Sequence, residues 1–312
     1  MYNKLVEKIV AADEIVISGH LRPDGDCFGS QVGMKEAIQA TFPDKKVYLS
    51  GSGLKHFAAI LGTTDEIPDE VMERALHIIV DVNELERVED QRVKELGKNY
   101  ILIDHHIKQC EHNFPTLVDT TSCSACEIVA YMIKNLGWKI TKAGASGLYM
   151  GIVTDSGRFQ YINDFAKVFA ICSWLCEQKA DAVAITNVLA LTSEKTIRTK
   201  GYFLSHIQKY EHIMYVHLTY DELAMLEVNP GIGSAMINHF GNVAGYPIWA
   251  TFIDTKEGTE ICEFRSNRYP VVEVAKKYGG GGHKLACGVT LRTDIEENRE
   301  SILKDLAKMM ED

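Results

Sequence analysis

Four short apolar runs in the first part of the chain restrict its fold more than any other feature. They extend from Glu14 to His20, Lys46 to Ser50, Ala75 to Asp81 and Asn99 to Asp104. Each has the length of a strand buried on both faces and is too short for a core helix. Helical segments separate them, and a helix-length crossover is what joins two parallel strands. The chain therefore reads as α/β, with an N-terminal, mostly parallel sheet flanked by helices.

Cap and breaker residues place the helices. One is expected from about Gly29 to Ala40. Another opens at Ser124, where Ser124 and Glu127 have the spacing of a capping box, and it stops at Gly137. A third spans Ala143 to Val153 and ends at Thr154 and Asp155. From Thr192 to Tyr210 the pattern is polar and helical, as expected of a connection. Strand-like runs follow at 212–219, 247–254 and 260–265, then a short helix at 271–278. Four glycines, Gly279 to Gly282, come next, and a last helix begins near Ile295. A chain of 312 residues is longer than one average domain. Residues 1–188 are read as the first domain, 189–210 as a linker and 211–312 as a smaller α/β domain.

Charge and composition exclude several functions. A formal net charge of −10 opposes tracking along long polyanions, because such proteins present a basic surface. Long duplex nucleic acid is therefore not an expected partner, whereas a small anion held by metal ions and local cations is allowed. No apolar run approaches the roughly 20 residues of a membrane span. The N-terminus reads as a first helix without a cleavage site, and the eight cysteines are scattered. Both features suit reduced thiols in a cytoplasm.

The acidic and histidine residues fall where the strands stop. His20, Asp24 and Asp26 lie just past the first run, Asp81 closes the third, and Asp104, His105 and His106 close the fourth. Asp155 follows an apolar helix. In an open α/β sheet, ligands bind beyond the carboxyl ends of the strands. Taken singly, an Asp-Gly-Asp loop is usually a turn and a strand-end aspartate is often a helix cap. Together, on successive α/β units, they place several carboxylates in one crevice, where mutual repulsion calls for bound cations. Carboxylate and imidazole donors without a thiolate suit manganese, with iron, cobalt or zinc as alternatives. A pair of such ions suits in-line displacement at phosphorus.

This order of residues resembles the four motifs of the DHH phosphoesterase superfamily. Gly279 to Gly282, followed by His283 and Lys284, is similar to the glycine–histidine motif of the DHHA1 substrate-binding domain. The resemblance covers essentially the whole chain and is strongest to short members that combine oligoribonuclease with 3′-phosphoadenosine 5′-phosphate phosphatase activity. It implies two manganese ions held by His20, Asp24, Asp26, Asp81, His105 and Asp155, with Asp81 between them, and a metal-activated water as nucleophile. Asp104 would orient a neighbour, and His106 would contact phosphate or protonate the leaving oxygen. Arg265, Ser266, Gly280, Gly281, Gly282 and His283 would bind substrate, with Arg22 and Arg268 as weaker candidates. The expected active site lies in a cleft between the two domains, closing on short single-stranded RNA, a mononucleotide or a dinucleotide. A cyclic-dinucleotide phosphodiesterase is the alternative, and a homodimer is the base-rate expectation for assembly.

Overall fold

The structure is a computed structural model that describes residues 2–107 and 110–310. The chain divides into two compact units, Met1–Leu191 and Thr192–Asp312.

The first unit opens with α1 (Asn3–Ala11), β1 (Glu14–Ser18), α2 (Gly25–Thr41) and β2 (Lys46–Leu49). Then come the short helices α3 (Ala58–Leu61) and α4 (Asp69–Arg74), β3 (Leu76–Val80) and α5 (Arg92–Leu96). β4 (Asn99–Asp104), β5 (Thr116–Val118), α6 (Ala125–Leu136) and α7 (Lys142–Asp155) follow, and α8 (Phe165–Glu177) and α9 (Ala182–Ala190) complete the unit. The strands form one parallel sheet in the order β2-β1-β3-β4-β5. The four expected strands are present; β5 is an addition too short to show in the sequence pattern.

Both faces of this sheet are covered, which is why its strands read as continuous apolar runs. Ile15, Ile17, Ile78, Val80, Ile101 and Ile103 pack on the side of α2, α6 and α7. Val16, Ile79 and Leu102 pack on the opposite side, against Val71, Met72 and Val93 of α4 and α5. Helices α2 and α7 touch almost backbone to backbone. A Cβ on Gly29 would stand 2.3 Å from the Gly147 carbonyl oxygen, so only glycine permits this approach. The close crossing carries the end of α7 to the start of α2.

Capping at α6 differs in one detail from expectation. The Ser124 hydroxyl accepts the Glu127 amide, as a cap should, but the Glu127 carboxylate reaches the amide of Cys123 and not that of Ser124. The helix ends at Gly137 in the left-handed conformation, which satisfies its last carbonyls.

The second unit contains α10 (Glu194–Ser205), β6 (Gln208–Tyr210), β7 (Ile213–Leu218), α11 (Tyr220–Met225) and α12 (Pro230–Ala235). It continues with β8 (Ile248–Asp254), β9 (Glu260–Ser266), α13 (Val272–Lys277), β10 (Gly281–His283), β11 (Ala286–Leu291) and α14 (Ile295–Lys308). Its mixed sheet has the order β10-β11-β9-β8-β7-β6. Ile248, Ala250 and Phe252 face the core beneath α13 and α14, while Trp249 and Ile253 face that beneath α10 and α11. Part of the glycine run is therefore a strand: Gly281 to His283 pair antiparallel with β11. No helix among the described residues is long and apolar enough to cross a membrane.

Candidate metal centre

Parallel register delivers the site. Ser18 pairs with Ile79 and Val80 pairs with Ile103, so continuing the two ladders puts His20, Asp81 and Asp104 in one row. His20 and Asp81 stand just beyond β1 and β3 and Asp104 is the last residue of β4, where the strand order 2-1-3 reverses direction, the usual place for a ligand crevice. Asp81 leaves β3 with φ at 58°, a left-handed conformation that is uncommon for aspartate and is held here by the hydrogen bond its amide donates to the Ile103 carbonyl. Asp24 and Asp26 arrive at the N-terminus of α2, and Asp155 is the last residue of α7, inside the helix and not beyond it.

Three close groups of donor atoms result: His20, Cys27 and Asp81; Asp81, His105 and His106; and Asp26, His105 and Asp155. Asp81 and His105 each belong to two of them, so the groups form one connected set. His105 Nε2 lies 3.2 Å from Asp155 Oδ2, 3.5 Å from Asp81 Oδ1 and 3.8 Å from Asp26 Oδ2. On the other side, His20 Nε2 lies 3.4 Å from Asp81 Oδ2 and 3.8 Å from Asp24 Oδ1. Asp24 is thus brought near, but as the N-cap of α2: its Oδ1 accepts the amides of Asp26 and Cys27, each at 3.0 Å.

Two buried residues are oriented by backbone. Asp26 is fully buried, and its oxygens accept the amides of Ala125 and Cys126 at 2.7 and 2.9 Å. These are the first amides of α6, so the positive end of that helix faces the carboxylate. The sequence places Ser124 as a cap but gives no sign that its helix holds Asp26. Asp104, also fully buried, accepts the amides of the next two residues and lies 2.8 Å from His106 Nδ1.

The electrostatics show a set of acids short of cations. Burial, then the charges of Asp81 and Asp155, push the Asp26 carboxyl well above its ordinary range. Burial, with Asp81 and Asp24 adding and His105 opposing, pushes Asp155 up to about 6. Burial lowers His105, but Asp81, Asp26 and Asp155 outweigh it and hold the ring near 9. Asp24 and Asp81 raise His20 strongly. Burial likewise disfavours the charged Asp104, yet the His106 ring and the two amides keep its carboxyl below the usual value. Asp104 raises His106 in return.

Does this arrangement fit divalent metal ions? Among the described residues, no lysine or arginine pairs with Asp24, Asp26, Asp81 or Asp155. Asp81 Oδ1 and His105 Nε2 are buried and lack hydrogen-bond partners. Such orphaned polar atoms cost about 1–3 kcal/mol each unless something binds them. Separations of 3.2–3.8 Å suit donors on one ion at the usual bond lengths of about 2.0–2.2 Å. The cluster can therefore coordinate divalent cations.

The substrate candidates lie in the second unit. His283 pairs with Ala286 and Ala286 with Arg265, so His283 and Arg265 share a row across β10, β11 and β9. Arg265 Nη1 donates to Glu263 at 2.8 Å and to the Phe264 carbonyl. The Ser266 hydroxyl donates to the Pro247 carbonyl and accepts the amides of Arg268 and Tyr269. Gly281, Gly282 and His283 are exposed, and Gly280 is half-buried. A fourth group, His217, Asp254 and Glu260, is of another kind, because Arg299 already pairs with the buried Glu260. In the first unit, Arg22 has φ at 60° and is exposed.

Comparison with known proteins agrees with this geometry. Residues 14–152 match the DHH family N-terminal domain, and residues 216–312 match the DHHA1 domain. The bifunctional oligoribonuclease and PAP phosphatase NrnA of Mycoplasma pneumoniae is 36% identical over 92% of this chain and 90% of its own length. The chain belongs to the DHH–DHHA1 phosphoesterase family. Another NrnA of this family, from Bacillus subtilis, is 30% identical over 98% of this chain and 97% of its own. An exopolyphosphatase-related protein from Bacteroides fragilis shares the fold, with a TM-score of 0.86 at 24% identity over 99% of this chain and 97% of its own. As a family member with this donor set, the protein is a hydrolase of phosphate esters.

Proposed function

We propose that the protein is a manganese-dependent phosphoesterase acting on short oligoribonucleotides and on 3′-phosphoadenosine 5′-phosphate. One observation carries the reading: the connected donor set in which Asp81 and His105 each serve two groups. The names of the Mycoplasma and Bacillus relatives support the substrate class. The eight free cysteines support a reducing, cytoplasmic setting.

His20, Asp24, Asp26, Asp81, His105 and Asp155 would hold two divalent ions, with Asp81 contributing to both. Bound there, the ions would neutralise phosphate charge and activate water. The chain's own groups do the rest. Asp26 is kept in place by the α6 amides. Asp104 holds the His106 ring through Nδ1 and favours its protonated form, which would let the other ring nitrogen give a proton to the leaving oxygen. His106 has the exposure this role needs, with 51% of its side chain accessible.

Residues 1–188 would thus carry the chemistry and residues 211–312 the recognition. Arg265 and His283, on one sheet row, would meet a substrate phosphate, with the exposed amides of Gly280, Gly281 and Gly282 beside them. Ser266 would act by fixing the turn that leads from β9 to Arg268.

The test is hydrolysis of a linear RNA dinucleotide, 3′-phosphoadenosine 5′-phosphate and cyclic di-AMP with manganese, with Asp81→Ala as control. Cleavage of the first two, lost in the variant, is the expected result. Preference for the cyclic substrate would keep the chemistry and change the role to second-messenger turnover. No cleavage of any of them with manganese bound would refute the nucleotide assignment. In parallel, His283→Ala should raise KM and leave metal content unchanged.

A further inference from the structure

The ligand set read from sequence contains no sulfur, yet the fold places one beside it. Cys27 lies in the first turn of α2, directly after Asp26, and is fully buried. Its Sγ, a His20 ring nitrogen and an Asp81 carboxylate oxygen all lie within 4.8 Å of one another. On one tetrahedral zinc ion, with a Zn–S bond of about 2.3 Å and a Zn–N bond of about 2.0–2.1 Å, a sulfur and a nitrogen stand about 3.6 Å apart, so a movement of about 1 Å or less would let the three donors share an ion.

The slot for this sulfur is built by the neighbouring backbone. A Cβ on Gly19 would stand 2.2 Å from Cys27 Sγ, so any larger residue at the end of β1 would displace the thiol. The Cys27 amide donates to Asp24 Oδ1 at 3.0 Å, which fixes the turn that aims the side chain. Asp81, 3% exposed, stands between the two donor groups: its Oδ2 lies 3.4 Å from His20 Nε2, while its Oδ1, which has no hydrogen-bond partner, faces His105 Nε2 at 3.5 Å. Cys126 makes a useful contrast. It is equally buried, but its thiol points at the carbonyls of Asp26 and Gly147, at 3.4 and 3.9 Å, and its place is explained by packing.

We propose that Cys27 is a further donor of the metal centre, bound as thiolate to a soft cation such as cadmium or zinc and left as a neutral thiol beside manganese. The proposal rests on the two-metal reading above. Hard cations take oxygen and nitrogen donors, whereas soft ones favour sulfur, so the thiol matters only for the latter. When a soft ion binds, the S–H bond breaks, a sulfur–metal bond forms and the proton passes to solvent. No oxidant or reductant is required. Cys27 is then the residue that decides how well the centre discriminates manganese from thiophilic metals.

Cobalt spectroscopy tests this on the whole protein, stripped of metal with a chelator. Cobalt-loaded wild type should show a near-ultraviolet thiolate-to-cobalt band alongside the visible cobalt bands. The band should vanish in Cys27→Ser and persist in Cys126→Ser. Cadmium affinity should fall in Cys27→Ser on the order of tenfold or more, the scale on which a metal site responds to losing a supporting group. Manganese affinity should stay within the scatter of wild type. Visible cobalt bands without the near-ultraviolet band in wild type would overturn the sulfur donor and leave the metal site standing. Absence of every cobalt band would sink both. A band that survives in Cys27→Ser, or equal losses for cadmium and manganese, would also overturn the proposal. Where Cys27→Ser fails to fold, Cys27→Ala tests the same loss of the band, and a wild-type spectrum without the band overturns the proposal by itself.

Discussion

Replacing Asp155 by asparagine should stabilise the metal-free protein while disabling it. In the folded chain the Asp155 carboxyl is pushed from 3.8 to about 6 by burial and by Asp81 and Asp24. At about 1.4 kcal/mol per pKa unit, keeping this group ionised at neutral pH costs the fold roughly 3 kcal/mol. Its side chain is 30% exposed and sits 3.2 Å from His105, so solvent screening and the lost pairing reduce the net effect. The expected gain for Asp155→Asn is about 1–2 kcal/mol. The pH dependence has a definite sign. A carboxyl whose folded pKa is raised destabilises the fold above that value, and the penalty disappears as pH falls toward the unfolded value. The advantage of the variant should therefore be full above pH 6 and close between about 6 and 3.8. Urea unfolding in EDTA at pH 8, 6 and 4, followed in each protein by its midpoint, measures this. With manganese added, the order should reverse, because wild type binds the ion and gains stability by mass action. A variant no more stable than wild type in EDTA, or one whose advantage persists at pH 4, would refute the argument that repulsion among these acids is relieved by cations.

Three further outcomes are expected. Ser124→Ala removes the cap of α6 and should cost about 1 kcal/mol; because the same helix end holds Asp26, calorimetry should also show weaker manganese binding. Gly29→Ala puts a methyl group 2.3 Å from the Gly147 oxygen, and the forced separation of α2 and α7 should cost about 1–3 kcal/mol in chemical unfolding. In the second unit, Arg299→Met strands the buried Glu260 and should cost about 3 kcal/mol, with most of the loss recovered in the Arg299→Met/Glu260→Leu double variant. That last pair would show that the His217, Asp254 and Glu260 group is an ion network tying α14 to its sheet.

Sequence pattern was most legible where one physical rule acts alone. Strands buried on both faces need unbroken apolar runs, so β1, β2, β3 and β4 could be read directly, and ligands of a parallel sheet collect beyond strand ends. His20, Asp81 and Asp104 were visible for that reason. Local chemistry also placed the helix beginning at Ser124 and its stop at Gly137. The glycine run was harder, because four glycines look like a turn. Pairing of Gly281 to His283 with β11 depends on a partner strand, and nothing in the run itself declares it.

The sequence by itself determined the α/β class, the residues able to serve as hard-metal donors and their order along the chain, because periodicity and residue chemistry are local properties. Tertiary structure alone decided which atoms meet. The glycine contact between α2 and α7 brings Asp155 within 3.2 Å of His105, the α6 amides take hold of Asp26, and the space left by Gly19 admits the sulfur of Cys27. Each of these depends on backbone approach between segments distant in sequence or on an atom that is missing, and one-dimensional spacing records neither.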